Sequence, residues 1–465
     1  MGRWRAVACA GTALLFSVTL TAAAGAAPPN TCQGLVPTIV GTPDADVLTG
    51  TPGDDVILAL GGADTIDALA GDDRVCAGPG DDSVAAGDGD DLVTGFDGND
   101  TLDGGAGADR LVGGKGVDTL TGDSGADTLL AGPGADRIIG GDDNDTINAD
   151  NGSDTIDAGA GDDKIFGKYT NGPRVDAGSG NDQIQVGRWA KIDAGLGDDT
   201  VLYGGVVFGG PGADVINRVG TAHGGPDDDL ISNAGFAFGD EGDDSIYQAK
   251  EEAHGGDGND ILVSDRFDRP NEGPSLMAGD AGDDTITGRQ PTVALGGDGV
   301  DTIQANGTID GGEGDDQLRP NSWDLSSRSG GADITGGPGD DVIVGAPFGV
   351  LSGDDGNDVI KGGGQVDGGA GNDQLLLTGP LSTVANGGSG ADVVDGGAGT
   401  EVVYGGAGAD RLSGFRGTDQ VHGGDGPDQL WGGNGDDRLN GGSGSDRCVG
   451  GRGRDRLTSC ESVDR

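Results

Sequence analysis

An aspartate recurs at every ninth position from Asp46 to Asp163, fourteen times without a break. A period this strict calls for a fold made by stacking one small unit. Good copies read Gly104-Gly105-Ala106-Gly107-Ala108-Asp109-Arg110-Leu111-Val112 and, directly after, Gly113-Gly114-Lys115-Gly116-Val117-Asp118-Thr119-Leu120-Thr121; both fit G-G-x-G-x-D-x-U-x, where U is aliphatic. The glycines permit the positive φ of a tight turn, and x-U-x is a short extended segment. The U column reads Leu48, Ile57, Ile66, Val75, Val84, Val93, Leu102, Leu111, Leu120, Leu129, Ile138, Ile147, Ile156 and Ile165, every member branched and aliphatic. Side chains alternate across a strand, so this column faces one side while its Thr, Arg, Asp and Ser neighbours face solvent. One apolar residue per strand cannot make a core. Two facing sheets of stacked strands can, with two nonapeptides to a turn of about 18 residues.

Composition excludes the conventional alternative. The 465 residues include 102 Gly, only 4% aromatic and 33% hydrophobic residues, with 80 acidic against 27 basic groups and a formal charge of -53. Low hydrophobicity with such self-repulsion keeps a chain unfolded until something cationic compensates. Nucleic acid is excluded as a partner, because phosphate binding needs clustered Lys and Arg. The repeated Asp and the preceding loop carbonyls are hard oxygen donors that stacked loops bring within reach of one ion, which selects calcium over softer metals, with magnesium second.

With these motifs the sequence resembles the haemolysin-type, or RTX, calcium-binding repeat family across most of the chain past its leader. The resemblance implies an all-β parallel β-roll, or β-helix solenoid, with little or no helix, and multiple calcium ions (Ca2+) held between consecutive turns by the position-six Asp and loop backbone oxygens. On that pattern Asp109 and Asp127 serve one edge, Asp118 and Asp136 the other. The first block supplies Asp46, Asp55, Asp64, Asp73, Asp82, Asp91, Asp100, Asp109, Asp118, Asp127, Asp136, Asp145, Asp154 and Asp163 as metal ligands.

After Asp163 the strict period fails, yet complete motifs continue at Asp182, Asp199, Asp214, Asp229, Asp244, Asp260, Asp284, Asp301, Asp316, Asp341, Asp358, Asp373 and Asp392, at intervals of 15 to 25 residues. Each interval leaves one full turn, so the edge carrying Asp163 is expected to keep its ligands while the opposite edge replaces them with variable insertions. From Glu401 the nine-residue phase returns through Asp410, Asp419, Asp428, Asp437, Asp446 and Asp455; Glu401 and the inward Cys448 depart from the usual residues. The expected division is a leader over 1–26, an N-terminal cap over 27–40, a two-edged roll over 41–166, a one-edged irregular solenoid over 167–386, a second two-edged roll over 387–458 and a tail over 459–465. One ion per adjacent pair of loops gives on the order of thirty ions, offsetting a charge of order sixty and so matching the acidic excess.

Arg3 and Arg5, an apolar stretch from Ala6 to about Leu20 and Ala24-Gly25-Ala26 form a secretory signal with a cleavage site. No later segment approaches the ~20 apolar residues of a membrane span. Secretion to the extracellular space is expected, with Cys9 removed in the leader. Cys32, Cys76, Cys448 and Cys460 remain, an even number in an exported chain, which favours disulfides. Three pairings are open; Cys32 with Cys76 and Cys448 with Cys460 is preferred, because each joins an end segment to a terminal repeat.

The inserted edge collects Tyr169, Arg188, Trp189, Lys191, Tyr203, Lys250, Arg266, Arg269, Arg319, Trp323 and Arg328. They either engage a polysaccharide or cell-surface polymer or simply cover a sheet edge. His223, His254 and His422 each precede Gly-Gly at the last strand position, where side chains face outward. No H-E-x-x-H motif occurs, and Gly442-Ser443-Gly444 fills repeat positions rather than a nucleophile elbow. The expected function is a non-enzymatic extracellular protein that folds on calcium, as a wall, matrix or adhesion component. The alternative is a polysaccharide lyase or epimerase using the central solenoid, supported mainly by fold analogy.

Overall fold

A computed structural model describes residues 31–167, 172–264, 276–321, 332–379 and 382–464. The expected leader over 1–26, with Arg3, Arg5 and Cys9, lies outside them, as do Tyr169, Arg266, Arg269, Trp323 and Arg328.

The x-U-x segments are strands, as in Thr65–Asp67 and Arg137–Asp142. Forty-five strands and no helix are present among the described residues, and the strands wind into a parallel solenoid of about 22 turns. Each strand pairs in parallel with the strand one turn away, so that Leu120 sits between Leu102 and Ile138, and Leu129 between Leu111 and Ile147. Two sheets result. One carries Val56–Leu58, Arg74–Cys76 and their successors; the other carries Thr65–Asp67, Ser83–Asp88 and theirs. Between them the U residues from Ile57 to Ile165 are buried to 2% exposure or less. Burying each such side chain stabilises the roll by about 1.5–3 kcal/mol. Leu48, at the open N-terminal rung, is only half-buried.

The glycines are needed because turns stack backbone on backbone. Gly116 has a φ of +150°, and a Cβ there would strike the carbonyl oxygen of Gly98 in the turn before. At the second motif position the chain tolerates a side chain at a cost: Leu60, Leu69, Phe96 and Phe415 are held at φ of +84°, +84°, +83° and +68°.

Through the middle section each interval is one turn with both sheets still present. In some of these turns no separate loop remains between the two strands, and one strand runs across the edge, as in Thr200–Phe208 and Val215–Pro226. The chain bends there at single left-handed residues, Tyr203 at φ +73° and Arg218 at φ +61°. The basic and aromatic residues are accordingly less confined to edge loops than expected: Arg188 and Trp189 form a turn, whereas Lys191 and Arg319 stand on the strands Lys191–Asp193 and Gln317–Pro320.

Both ends are stapled, by Cys32–Cys76 and Cys448–Cys460. Among the described residues no helix is long and apolar enough to cross a membrane.

Candidate metal centre

The turn that precedes each strand drives its position-six Asp inward at the edge of the roll. Along one edge, the backbone N–H of Asp55 donates to Oδ1 of Asp73, Asp73 to Asp91, and so on through Asp109, Asp127, Asp145 and Asp163. This file crosses the middle section without interruption, through Asp182, Asp199, Asp214, Asp229, Asp244, Asp260, Asp284, Asp301, Asp316, Asp341, Asp358, Asp373 and Asp392. It ends through Asp410, Asp428 and Asp446, whose N–H is taken by the Glu461 carboxylate. At its start the Thr38 hydroxyl donates to Asp55 Oδ1 at 2.9 Å.

On the opposite edge a shorter file links Asp46, Asp64, Asp82, Asp100, Asp118, Asp136 and Asp154 in the same way. It resumes as Glu401, Asp419, Asp437 and Asp455. Glu401 therefore takes the Asp position, its own N–H donating to Asp419 Oδ1 at 2.9 Å.

Most of these carboxylates have one oxygen committed and one without a partner; at the N-terminal end Asp46 and Asp55 differ, their Oδ2 atoms accepting the N–H groups of Thr42 and Thr51. Thirty such second oxygens, from Asp64 Oδ2 to Asp446 Oδ2 and including Glu401 Oε2, are buried with no hydrogen-bond donor among the described residues. Leaving a buried acceptor unpaired costs about 1–3 kcal/mol, and more when it is charged. Burial accordingly drives most of these carboxyls up, to about 8 at Asp229 and about 7 at Asp91, Asp145, Asp199 and Asp341. The carboxylates one turn away add to the rise, and the backbone N–H bond opposes it.

The orphaned oxygen faces a second hard donor. Beside Gly224, the place a Cβ would take is contacted at once by Asp229 Oδ2 and, at 2.6 Å, by the carbonyl oxygen of Gly239 in the next turn. The same pair of donors meets Gly209 through Asp214 Oδ2 and the Gly224 carbonyl, and Gly296 through Asp301 Oδ2 and the Gly311 carbonyl. Ala59, Ala68, Ala131 and Ala158 stand at this position in other turns, buried. Among the described residues no group of three or more His, Cys, Asp or Glu side chains is placed to hold a metal. A cation here would instead be held by one carboxylate per turn supplemented by backbone carbonyls, an all-oxygen set that suits calcium. The residues present fit that ion.

A file that sequence reading did not single out runs just outside. Asp54 Oδ1 accepts from the N–H of Asp72, and Asp72 from Asp90; Asn144, Asp162 and Asn181 continue the pattern. These position-five groups cap the next turn's N–H in the opposite sense to the buried file. Their signal was the recurrent Asp-Asp and Asn-Asp pairs, whose first member finds this role only when the turns are stacked.

The histidines face outward but are not free. Phe208, His223, Phe238 and His254 stack along one sheet at centroid spacings of 5.0, 4.7 and 5.3 Å, and His422 stacks on Tyr404. His223 and His254 also meet Asp240 and Asp280 at 3.4 and 3.2 Å.

The chain matches the family model of the RTX calcium-binding nonapeptide repeat (4 copies) at residues 40–75, in overlapping matches from 77 to 168, at 252–268, 271–290, 329–347 and 350–375, and in overlapping matches from 381 to 457. No curated protein matches it.

Proposed function

Because the chain belongs to the RTX calcium-binding nonapeptide repeat family, we propose that it is a secreted protein without catalytic activity, whose roll folds when calcium fills its carboxylate files and then serves as an extracellular structural or adhesive rod. The observation that carries this reading is the row of thirty buried, partnerless carboxylate oxygens. Unfilled, they repel one another in a dry edge; bridged by a divalent cation and loop carbonyls, the same oxygens hold consecutive turns together. The position-six Asp of both files, from Asp46 to Asp455, would hold the ions, and the long file from Asp55 to Asp446 would run the length of the roll. Low calcium inside a cell would keep the chain unfolded for export, and the N-terminal leader points to a general secretion route.

Calorimetric titration of the chelator-stripped protein with calcium tests the reading. Binding of tens of ions, on the scale of the orphaned oxygens, is expected. A handful of ions, or none, overturns it.

A further inference from the structure

The middle section has one face unlike the rest of the molecule. Gly187 to Ala190 form a turn closed by the Ala190 N–H donating to the Gly187 carbonyl at 3.0 Å. Ala190 is buried, and its carbonyl is fixed in turn by the N–H groups of Gly205 and Val206 at 2.8 and 3.1 Å. The turn is thus rigid, yet it holds the Trp189 indole out with 80% of its surface exposed. Beside it opens a groove of about 480 Å3 lined by Arg188, Trp189, Lys191, Val206 and Phe208 over a floor of Ala190, Gly205 and Gly220. The floor is bare because each glycine packs on the backbone of the turn below: a Cβ at Gly220 would lie 2.5 Å from the Gly205 carbonyl oxygen.

The groove lining carries two cations and no carboxylate, in a chain with 80 acidic and 27 basic residues. Lys191 lies over the Phe208 ring, 5.9 Å from its centroid. On its other side Lys191 borders a smaller recess with Arg174, Asp176 and Asp193. Arg218, one turn on, is held over Tyr203 by a 2.7 Å hydrogen bond to its hydroxyl, extending the cationic and aromatic strip along the roll axis.

We propose that this groove binds an acidic polysaccharide, a sugar ring lying against Trp189 and the glycine floor with its carboxylates met by Arg188 and Lys191. Charge complementarity selects that occupant. The chain as a whole, at a charge of -53, repels a polyanion, and a flat aromatic beside cations suits a ring that carries a carboxylate. This inference rests on the calcium-folded reading in one respect: the groove exists only when consecutive turns are stacked.

The test uses the full protein at millimolar calcium with hyaluronan oligosaccharide as the acidic probe and dextran as the neutral one. Affinity is read by calorimetry and folding by circular dichroism. Hyaluronan should bind, dextran should not, and Trp189→Ala or the pair Arg188→Glu and Lys191→Glu should weaken binding at least tenfold while leaving the calcium-dependent spectrum unchanged. Failure of the folded protein to bind hyaluronan, equal binding of dextran, or binding that survives both variants overturns the proposal. So does sedimentation showing that the face is covered by a second copy. A spectrum indifferent to calcium sinks the folding reading instead, and the variants' effect on hyaluronan affinity still decides the groove.

Discussion

Asp229 is placed under opposing demands. Its Oδ1 takes the Asp214 N–H at 2.7 Å, while its Oδ2 is buried beside carbonyl oxygens with no donor. Asp229→Asn keeps the acceptor, removes the buried charge and turns an amide N–H2 toward those carbonyls. Without calcium the variant should therefore be more stable than the parent by on the order of 1 kcal/mol, and with calcium less stable and short of bound ion. Residual strand content in chelator and thermal melts in calcium read the two signs. The pH dependence follows the same logic. Burial raises most file carboxyls of the folded, metal-free roll, to about 6 at Asp109 and about 8 at Asp229, above the unfolded value of about 3.9. A group whose pKa is raised by folding adds stability that is full below its unfolded pKa and is lost as pH rises through the folded one. In chelator, strand content should consequently grow as pH falls from about 8 to about 5. Calcium displaces those protons, so the calcium midpoint should fall as pH rises, and a calcium midpoint independent of pH over that window would refute the protonated-file account.

At the scale of turn and strand, two side-chain changes of similar size should differ in kind. Ile138→Ala opens a cavity between the sheets and should cost about 2–5 kcal/mol in calcium-loaded protein, whereas Arg137→Ala on the outer face should stay within about 0.5 kcal/mol. Gly116→Ala adds only a methyl, but places it on the Gly98 carbonyl at φ +150°, where the obstacle is backbone and cannot rotate away. It should lower the melting temperature more than Val117→Ala, on the same turn and exposed. The U column and the Asp period were legible in sequence because both follow from strand alternation and a fixed turn. The position-five file was not, because Asp72 and Asp90 acquire their role only when one turn lies on the next. Nor was the merging of strands across Tyr203 and Arg218, since neither residue type advertises a left-handed bend. The groove at Trp189 was legible as composition but not as a site: its floor is glycine, which in this chain signals nothing by itself.

Over the whole molecule, stability in a solenoid is approximately a sum of turn and neighbour terms, so the ends are where it should unravel. The two disulfides close loops of 44 and 12 residues at those ends. Cys448→Ser with Cys460→Ser should cost roughly 2–4 kcal/mol and raise hydrogen exchange in the last turns while leaving the middle protected. Uniformly raised exchange would mean that the roll melts as a single unit. The account as a whole requires that a chain of charge -53 with so little apolar surface cannot hold these turns together until cations enter its files. Far-ultraviolet circular dichroism at neutral pH, first in chelator and then across a calcium titration, tests this most directly. A largely unfolded spectrum that converts cooperatively to strand as calcium reaches the millimolar range, and reverts when chelator is restored, is predicted. A strand spectrum already complete in chelator and unmoved by calcium would contradict it.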